Sequence, residues 1–218
     1  MKKVLLYILI TSIFIACNNQ KMPTVVAQDA TVVSLPTDTA NINVFKLDST
    51  ASTLLWEGYE GLALGKAQHT GSLNITSGTI NVQNNLPVAG KFIMPIISLK
   101  VTDIPSDKPG NAKLVAHLCD ADFFDAANFA TAKFEITNTI PKGKDSVNIT
   151  GNLTLKGISK SITIPAAINI NDNILTATTP KFYINRKDWG MHYHSENSLG
   201  DEMIRNEMGI IINVTAKK

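Results

Sequence analysis

The chain has 218 residues, of which 44% are hydrophobic and 17% are charged, a composition typical of a globular protein with one large domain or two small ones. The formal charge is +2 at pH 7, and without Lys2 and Lys3 the basic and acidic residues are equal in number. A nucleic-acid-binding protein is expected to carry a basic face, so this balance argues against that class.

Residues 1–16 have the pattern of a secretion signal, because two lysines precede an apolar run over residues 4–15. That run is shorter than the roughly 20 residues that cross a bilayer. It ends in Phe-Ile-Ala-Cys, which is similar to a bacterial lipobox, where cleavage before the cysteine leaves the thiol acylated. We predict a lipid anchor at Cys17 and a location in the bacterial envelope, facing the periplasm. Ordinary cleavage beside an incidental cysteine is the alternative.

Residues 17–43 are poor in aromatic residues and show no sustained periodicity. We predict that they form a flexible tether with a reach of about 25 to 30 Å, which separates the membrane from a domain over residues 44–218. If Cys17 is acylated, Cys119 is the one remaining thiol, and the fold rests on its core and not on a disulfide. Cys119 is then either a reactive nucleophile or a buried inert thiol, and no neighbouring sequence feature indicates activation.

From residue 44 onward, short stretches of alternating apolar and polar residues are separated by turn residues, which is typical of a β-sandwich or β-barrel. The clearest stretch, residues 147–170, alternates on both sides of Lys156-Gly157 and predicts a long antiparallel hairpin. A second hairpin is predicted around Asn84-Asn85, and a last strand over residues 208–216. The pattern indicates about eight to ten strands.

The stretch from Lys91 to Val101 is apolar at both strand parities, so we expect a strand that is covered on both faces. The predicted cover is a helical insertion over residues 111–128, where apolar residues lie among helix formers and no glycine or proline occurs.

A metal site could be built from His192 and His194, which in a strand would point to the same side, with His69 or Glu196 as a further ligand. Two histidines without recognisable third and fourth ligands are more often loop residues, and we predict no metal site. Standard nucleophile, zinc, phosphate-loop and dinucleotide motifs are absent from the sequence, so we predict that the protein is not an enzyme.

Three segments resemble one family. His117 to Thr137 (HLCDADFFDAANFATAKFEIT) is similar to a family segment with His-Leu and Asp-Phe-Phe before a strand, and Gly151 to Ile164 (GNLTLKGISKSITI) is similar to the family's central hairpin. Arg186 to Tyr193 (RKDWGMHY) resembles a late Arg-x-Asp-aromatic-Gly turn. In this order and spacing they are similar to the YceI-like, polyisoprenoid-binding proteins.

The resemblance implies an all-β fold, an extended, antiparallel, lipocalin-like barrel whose apolar pocket holds an isoprenoid such as a quinone or polyprenyl lipid, without a further cofactor. The resemblance does not identify a polar group that would bind the head of the ligand, because the family's usual opening with a His-Ser pair is absent. Seven candidate residues occupy the apolar parity of strands that the family arrangement would place around one lumen: Phe92, Met94, Ile96, Phe134, Ile136, Leu153 and Leu155. For residues 92–96 the opposite parity is equally apolar. The alternative is an envelope interaction protein whose barrel is filled by its own side chains.

Overall fold

The computed structural model describes residues 24–33, 41–59, 69–195 and 204–218. The predicted secretion signal and Cys17 lie outside the described residues. In the part of the chain that is described, no helix is both long and apolar enough to cross a membrane.

The described part of the chain contains thirteen strands, one α-helix and two short 3₁₀ helices. The strands are β1 (Gln28–Asp29), β2 (Asn43–Leu47), β3 (Thr53–Gly58), β4 (His69–Leu73), β5 (Ser77–Gln83), β6 (Leu86–Pro95), β7 (Lys100–Val101), β8 (Thr131–Pro141), β9 (Ser146–Leu155), β10 (Ile158–Asn171), β11 (Ile174–Thr178), β12 (Phe182–Asn185) and β13 (Glu207–Lys217). The α-helix α1 is Pro109–Cys119, and the 3₁₀ helices are Ile96–Ser98 and Arg186–Trp189.

Eight of these strands close an antiparallel barrel. Its hydrogen-bonded order is β10, β9, β8, β6, β5, β2, β13 and β11, and β11 pairs again with β10. Residues at alternate positions face the interior, so the apolar parity of each strand forms a single core. The predicted all-β, lipocalin-like barrel is confirmed. The five other strands are short, and four of them extend the barrel or line its ends.

Strand β13 carries this extension. Its C-terminal half pairs with β11 and β2, whereas residues 207–213 pair with β12 and β3. From β3 the sheet continues to β4 and β7, and α1 lies beside β7. We call this part of the barrel, where α1 covers the sheet, the helical end.

Both predicted hairpins are confirmed. In the β9–β10 hairpin Leu155 pairs with Ile158, and the turn residues Lys156 and Gly157 have φ values of 47° and 75°. A two-residue turn of this kind needs positive φ at both positions, which glycine adopts without strain. The β5–β6 hairpin turns at Asn84 and Asn85, also with positive φ, and asparagine tolerates that conformation better than most residues.

The predicted helix over residues 111–128 is wrong in its extent. The helix begins at Pro109, where a missing N–H does no harm, and ends at Cys119. Asp120 then adopts an extended conformation and its carboxylate accepts a hydrogen bond from the Ala121 N–H, while Asp125 has a φ of 49°. Such side-chain bonds compete with helical ones, so the following segment forms turns.

The predicted strand from Lys91 to Val101 is also wrong beyond its first half. Strand β6 ends at Pro95, a 3₁₀ helix follows, and β7 contains two residues only. Ile97 is 83% exposed, so the segment is not covered on both faces. The chain changes direction after Pro95, so the two sets of alternating apolar residues do not mark two faces of one strand.

Residues 24–33, which we call the N-terminal strap, lie on the barrel surface. The Val25 N–H donates to the carbonyl of Tyr183 in β12 at 2.8 Å, and β1 pairs with β10. The Thr31 main chain exchanges two hydrogen bonds with the amide side chain of Asn152. The expected free tether over residues 17–43 is therefore wrong for residues 24–33, because this segment finds main-chain partners on β10 and β12. The domain boundaries at 16, 43 and 218 stay predictions.

Candidate functional site: a row of apolar cavities inside the barrel

The barrel encloses a cavity of about 100 Å³. Its wall consists of apolar side chains together with Thr179, and these side chains come from nearly every strand of the barrel. A cavity with such a wall offers no hydrogen bonds to water, so it favours an apolar occupant.

Five of the seven predicted lumen residues line this cavity: Phe92, Met94, Phe134, Ile136 and Leu153. The strand register explains their proximity, because Phe92 pairs with Phe134 and Phe134 pairs with Leu153 across three adjacent strands. The prediction that Phe92 and Met94 of β6 face the lumen agrees with their place in the cavity wall. Whether these residues bind a ligand stays a prediction.

The two other predicted residues lie elsewhere. Leu155 lines a second, smaller cavity together with Met94 and Leu153. Ile96 belongs to the 3₁₀ helix after β6 and is 1% exposed, so it is part of the core and lines neither cavity. Its placement in the lumen was wrong because the strand that would carry it ends at Pro95.

Several lining residues were not selected from the sequence, although one signal could have found them. Strand β10 contributes alternate residues to the wall: Ile162, Ile164, Ala166 and Ile168. Their period of two was visible in the hairpin pattern, and the closure of β10 onto β11 places that parity inside. No such signal was available for the residues of β12, which has four residues only.

The cavities form a row along the barrel. The second cavity, of about 50 Å³, shares Leu54, Met94, Leu153 and Ile210 with the first. A third cavity, of about 70 Å³, lies at the helical end and shares Trp56, Leu99, Phe124 and Met208 with the second. Typical ligand pockets hold roughly 300–1,000 Å³. A long-chain occupant would therefore have to displace lining side chains, of which Met94 is the most adaptable.

Charged groups surround the third cavity in bonded pairs. Glu57 accepts from Lys181 at 2.6 Å and also from the hydroxyl of Tyr59. Burial alone would raise the pKa of Glu57, but these two donors outweigh it and hold the pKa below its usual value. Burial, together with the bond to Glu57, raises the pKa of Tyr59. Both groups therefore keep fixed charge states at neutral pH.

The sequence of the barrel strands matches one family. A family model described as the YceI-like domain matches residues 45–216. The chain belongs to the YceI-like family. That membership agrees with the three segments noted in the sequence, which form the turns after α1, the central hairpin and the 3₁₀ turn after β12.

Individual relatives are more distant. The chain is 34% identical over 103 residues to a UPF0312 protein of Vibrio vulnificus and 33% identical over 103 residues to one of Shewanella sp. strain ANA-3. Each match covers 47% of this chain and 51% of the relative, so this YceI-like chain spans about half the length of the curated relatives it matches.

Two solved structures share the fold. BcnA of Burkholderia cenocepacia matches with a TM-score of 0.63 and 17% identity, over 78% of this chain and 99% of that one. A polyisoprenoid-binding domain of Saccharophagus degradans matches with a TM-score of 0.57 and 13% identity, over 79% and 97%. The YceI-like barrel is therefore retained at low sequence identity.

The late turn of this YceI-like chain closes the helical end. Arg186 is 1% exposed, and its guanidinium donates to the main-chain oxygens of Met191, Tyr193, Ile204 and Arg205 at 2.6 to 3.0 Å. Burial lowers the pKa of Arg186, but an arginine stays protonated in proteins. Five donors in a fixed fork make one arginine able to hold several chain segments together.

The histidines do not assemble in the way a metal site would require. Residues 191–195 form no strand, so no strand geometry places His192 and His194 on one side. His194 stacks on Tyr193, and His69 Nδ1 lies 2.8 Å from a carboxylate oxygen of Asp103. Within the described ranges, no three His, Cys, Asp or Glu side chains are arranged to hold a metal ion. Glu196 lies outside those ranges, and the absence of a metal stays a prediction.

Cys119 lies at the C-terminal end of α1 and is half-buried. Burial raises the pKa of its thiol. A protonated thiol is a poor nucleophile, which favours the inert role over the reactive one.

Proposed function

We propose that this YceI-like protein binds an isoprenoid or another long-chain apolar lipid, of the quinone or polyprenyl type, inside its barrel. In this proposal it carries or stores the lipid without catalysis, while an acylated Cys17 tethers it to the membrane on the periplasmic side of the bacterial envelope. The apolar wall of the central cavity is the observation that carries the proposal. The match to a polyisoprenoid-binding domain of another bacterium supports it.

The energetics favour such a ligand. Burial of apolar surface contributes about 25 cal/mol per Å², so a few hundred Å² offer several kcal/mol before the costs of association are subtracted. Part of this energy would be used to move lining side chains, since the free volume is only about 100 Å³.

That small volume favours one alternative, an envelope interaction protein whose barrel is filled by its own side chains. Native mass spectrometry after mild purification, followed by organic extraction, separates the two functions. The lipid-binding proposal expects a prenyl, quinone or fatty-acyl species at near-stoichiometric amount. If no such species is found, and added quinone is not taken up, the filled-barrel function stands instead.

A substitution that fills the lumen sharpens this test. Ile136 is buried and lines the central cavity, so Ile136→Trp should displace the lipid while thermal stability is kept or raised. Lys133 lies on the same strand and is exposed, so Lys133→Trp adds the same ring outside the lumen and should retain the lipid. Equal lipid content in the two variants would contradict binding inside the barrel. Leu153→Lys, which places a charge in the same wall, should abolish binding with an unchanged circular dichroism spectrum.

The anchor has its own test. Full-length protein in a lipoprotein-processing bacterium should partition into detergent and carry an acyl mass at its mature N-terminus. Cys17→Ser should be released or stay unprocessed. Identical behaviour of the two forms would refute the lipid anchor and leave lipid binding unaffected.

A further inference from the structure

Two buried donors at the helical end have no acceptor among the described residues. Trp56 is 7% exposed, and its indole Nε1 makes no hydrogen bond within the described structure. The Nε of Arg205 is likewise buried without an acceptor, although another nitrogen of the same guanidinium contacts Glu207 at 3.2 Å. Buried indole and guanidinium N–H groups usually find partners, because an unpaired buried donor loses its hydration without compensation.

Both side chains line the third cavity. The acids around that cavity are already engaged, because Glu57 accepts from Lys181 and Tyr59 and Glu207 accepts from Arg205. The fixed guanidinium of Arg186 adds a positive charge, which donates to four main-chain oxygens and lies 5.8 Å from the ring centroid of Phe123. The group that would complete this site is therefore a hydrogen-bond acceptor, and not a further donor or cation.

The rest of the wall narrows the class of acceptor. His69 also lines the third cavity, with its Nδ1 2.8 Å from a carboxylate oxygen of Asp103. The remaining side chains of the wall are apolar, among them Leu114, Leu118 and Phe124. A neutral carbonyl oxygen can be buried against such a wall once it is hydrogen-bonded, whereas a phosphate would bring one or two charges that need more donors. A carbonyl at the edge of a flat, apolar ring fits both the donors and the wall.

The position of this cavity defines an orientation for the ligand. Along β13, Val214 lines the first cavity, Ile210 the first and second, and Met208 the second and third. Strand residues advance by about 3.3 Å, so the row from Val214 to Met208 is roughly 20 Å long. An elongated molecule with its acceptor at one end can reach the donors from the central cavity.

We propose that Trp56 Nε1 and Arg205 Nε bind the carbonyl oxygen of a quinone-type head group in the third cavity, with the isoprenoid tail running through the second cavity into the barrel. This inference rests on the proposed function and adds the head-group chemistry and the direction of binding. The tail contributes affinity through burial, and the two donors contribute selectivity, because they are left unpaired by a ligand without an acceptor.

The two tryptophans of the chain provide an internal control. In protein labelled with ¹⁵N at the indole nitrogens, Trp189 is already hydrogen-bonded, since its Nε1 donates to the oxygen of Leu153 at 3.0 Å. Addition of decylubiquinone should shift the Trp56 indole proton downfield, as expected for a new hydrogen bond, and leave the Trp189 proton nearly unchanged. If native mass spectrometry shows bound quinone and the Trp56 proton does not move, the head-group assignment is overturned and lipid binding survives. If no lipid of any kind binds, the proposed function itself fails.

An affinity comparison tests the chemical class. Trp56→Phe keeps an aromatic ring and removes the donor, so it should weaken decylubiquinone binding about two- to tenfold, as loss of one neutral hydrogen bond predicts. Binding of squalene, a prenyl hydrocarbon without an acceptor, should be unchanged. Equal losses for both ligands would show that Trp56 acts only through packing. A loss confined to farnesyl diphosphate would assign the site to a phosphate and overturn the carbonyl.

Discussion

The indole Nε1 of Trp189 donates a hydrogen bond to the main-chain oxygen of Leu153 at 3.0 Å. Trp189 is completely buried in the turn after β12, and Leu153 lies in β9 and lines the central cavity. The bond therefore joins the closing turn of the barrel to the hairpin that forms the cavity wall.

Replacing this tryptophan should destabilise the protein more than replacing the other one. In Trp189→Phe the carbonyl of Leu153 loses a buried donor, and we expect the free energy of unfolding to fall by about 1–3 kcal/mol. In lipid-free protein Trp56→Phe is the matched control, because among the described residues the Nε1 of Trp56 has no acceptor to leave behind. Chemical denaturation of both variants measures the difference. Equal losses of stability would show that ring volume, and not the hydrogen bond, dominates.

Gly151 allows the Phe134 ring to lie against the backbone of β9. A Cβ at this position would lie 2.4 Å from Cζ of Phe134 and 2.7 Å from the main-chain oxygen of Glu135. The backbone oxygen cannot move easily, so Gly151→Ala should cost about 1–3 kcal/mol and push Phe134 toward the cavity. Gly143→Ala serves as the control, since no atom of the described residues lies within 4 Å of its added Cβ. Similar melting temperatures for the two variants would contradict this close approach.

Asp48 joins the β2–β3 turn to the end of β13. Its carboxylate accepts a hydrogen bond from Lys217 at 2.7 Å and another from the hydroxyl of Thr50 at 2.7 Å. These bonds hold the pKa of Asp48 well below its usual range, and the bond from Lys217 has the largest effect. A lowered pKa contributes stability above the unfolded value of about 3.9, and this contribution is lost as the pH falls through the folded pKa.

Asp48→Asn should therefore lower the melting temperature at neutral pH, and the difference from the wild type should shrink below about pH 4. Asp107→Asn is a control on an exposed carboxylate whose ion pair is with its neighbour Lys108 at 3.5 Å. Thermal unfolding between pH 2 and pH 7 provides the measurement. A difference that stays constant down to pH 2 would refute the linkage.

Asn152 holds the N-terminal strap against β9 through two hydrogen bonds. Its side chain accepts from the Thr31 N–H at 3.0 Å and donates to the Thr31 oxygen at 2.6 Å. Asn152→Ala should speed amide hydrogen exchange in residues 24–33 about tenfold, because two bonds of roughly 0.5–1.5 kcal/mol are lost. Asn148→Ala, on the same outer face of β9, should leave this exchange unchanged. Equal protection of the strap in both variants would contradict the role of Asn152.

The strands with one buried face were predictable from the sequence. Alternation in β9 and β10 identified the hairpin and the inward position of Leu153, because a period of two follows directly from strand geometry. The same rule failed at Ile96, where Pro95 ends the strand and the chain turns. Beyond the end of a strand, alternate residues no longer point to the same face, so alternation cannot predict where the Ile96 side chain lies.

Other features depend on contacts that are distant in sequence. The strap has no periodicity of its own, and its position is determined by pairing with β10 and by Asn152, more than 100 residues away. Trp56 and Arg205 were missed because an unpaired donor is a property of the folded surroundings and not of the residue type. Asn152 lies on the polar parity of β9, which alternation alone would place in solvent, yet it is buried beneath the strap.

The strap also changes what the barrel presents to other molecules. Strand β11 pairs only with residues 167–171 of β10, whereas β1 pairs with residues 160 and 161, farther along the same side. Without β1, this part of β10 would expose unpaired N–H and C=O groups, and such an open strand recruits strands from neighbouring chains. The strap thus occupies the place on this edge of β10 that a strand of another chain would otherwise take.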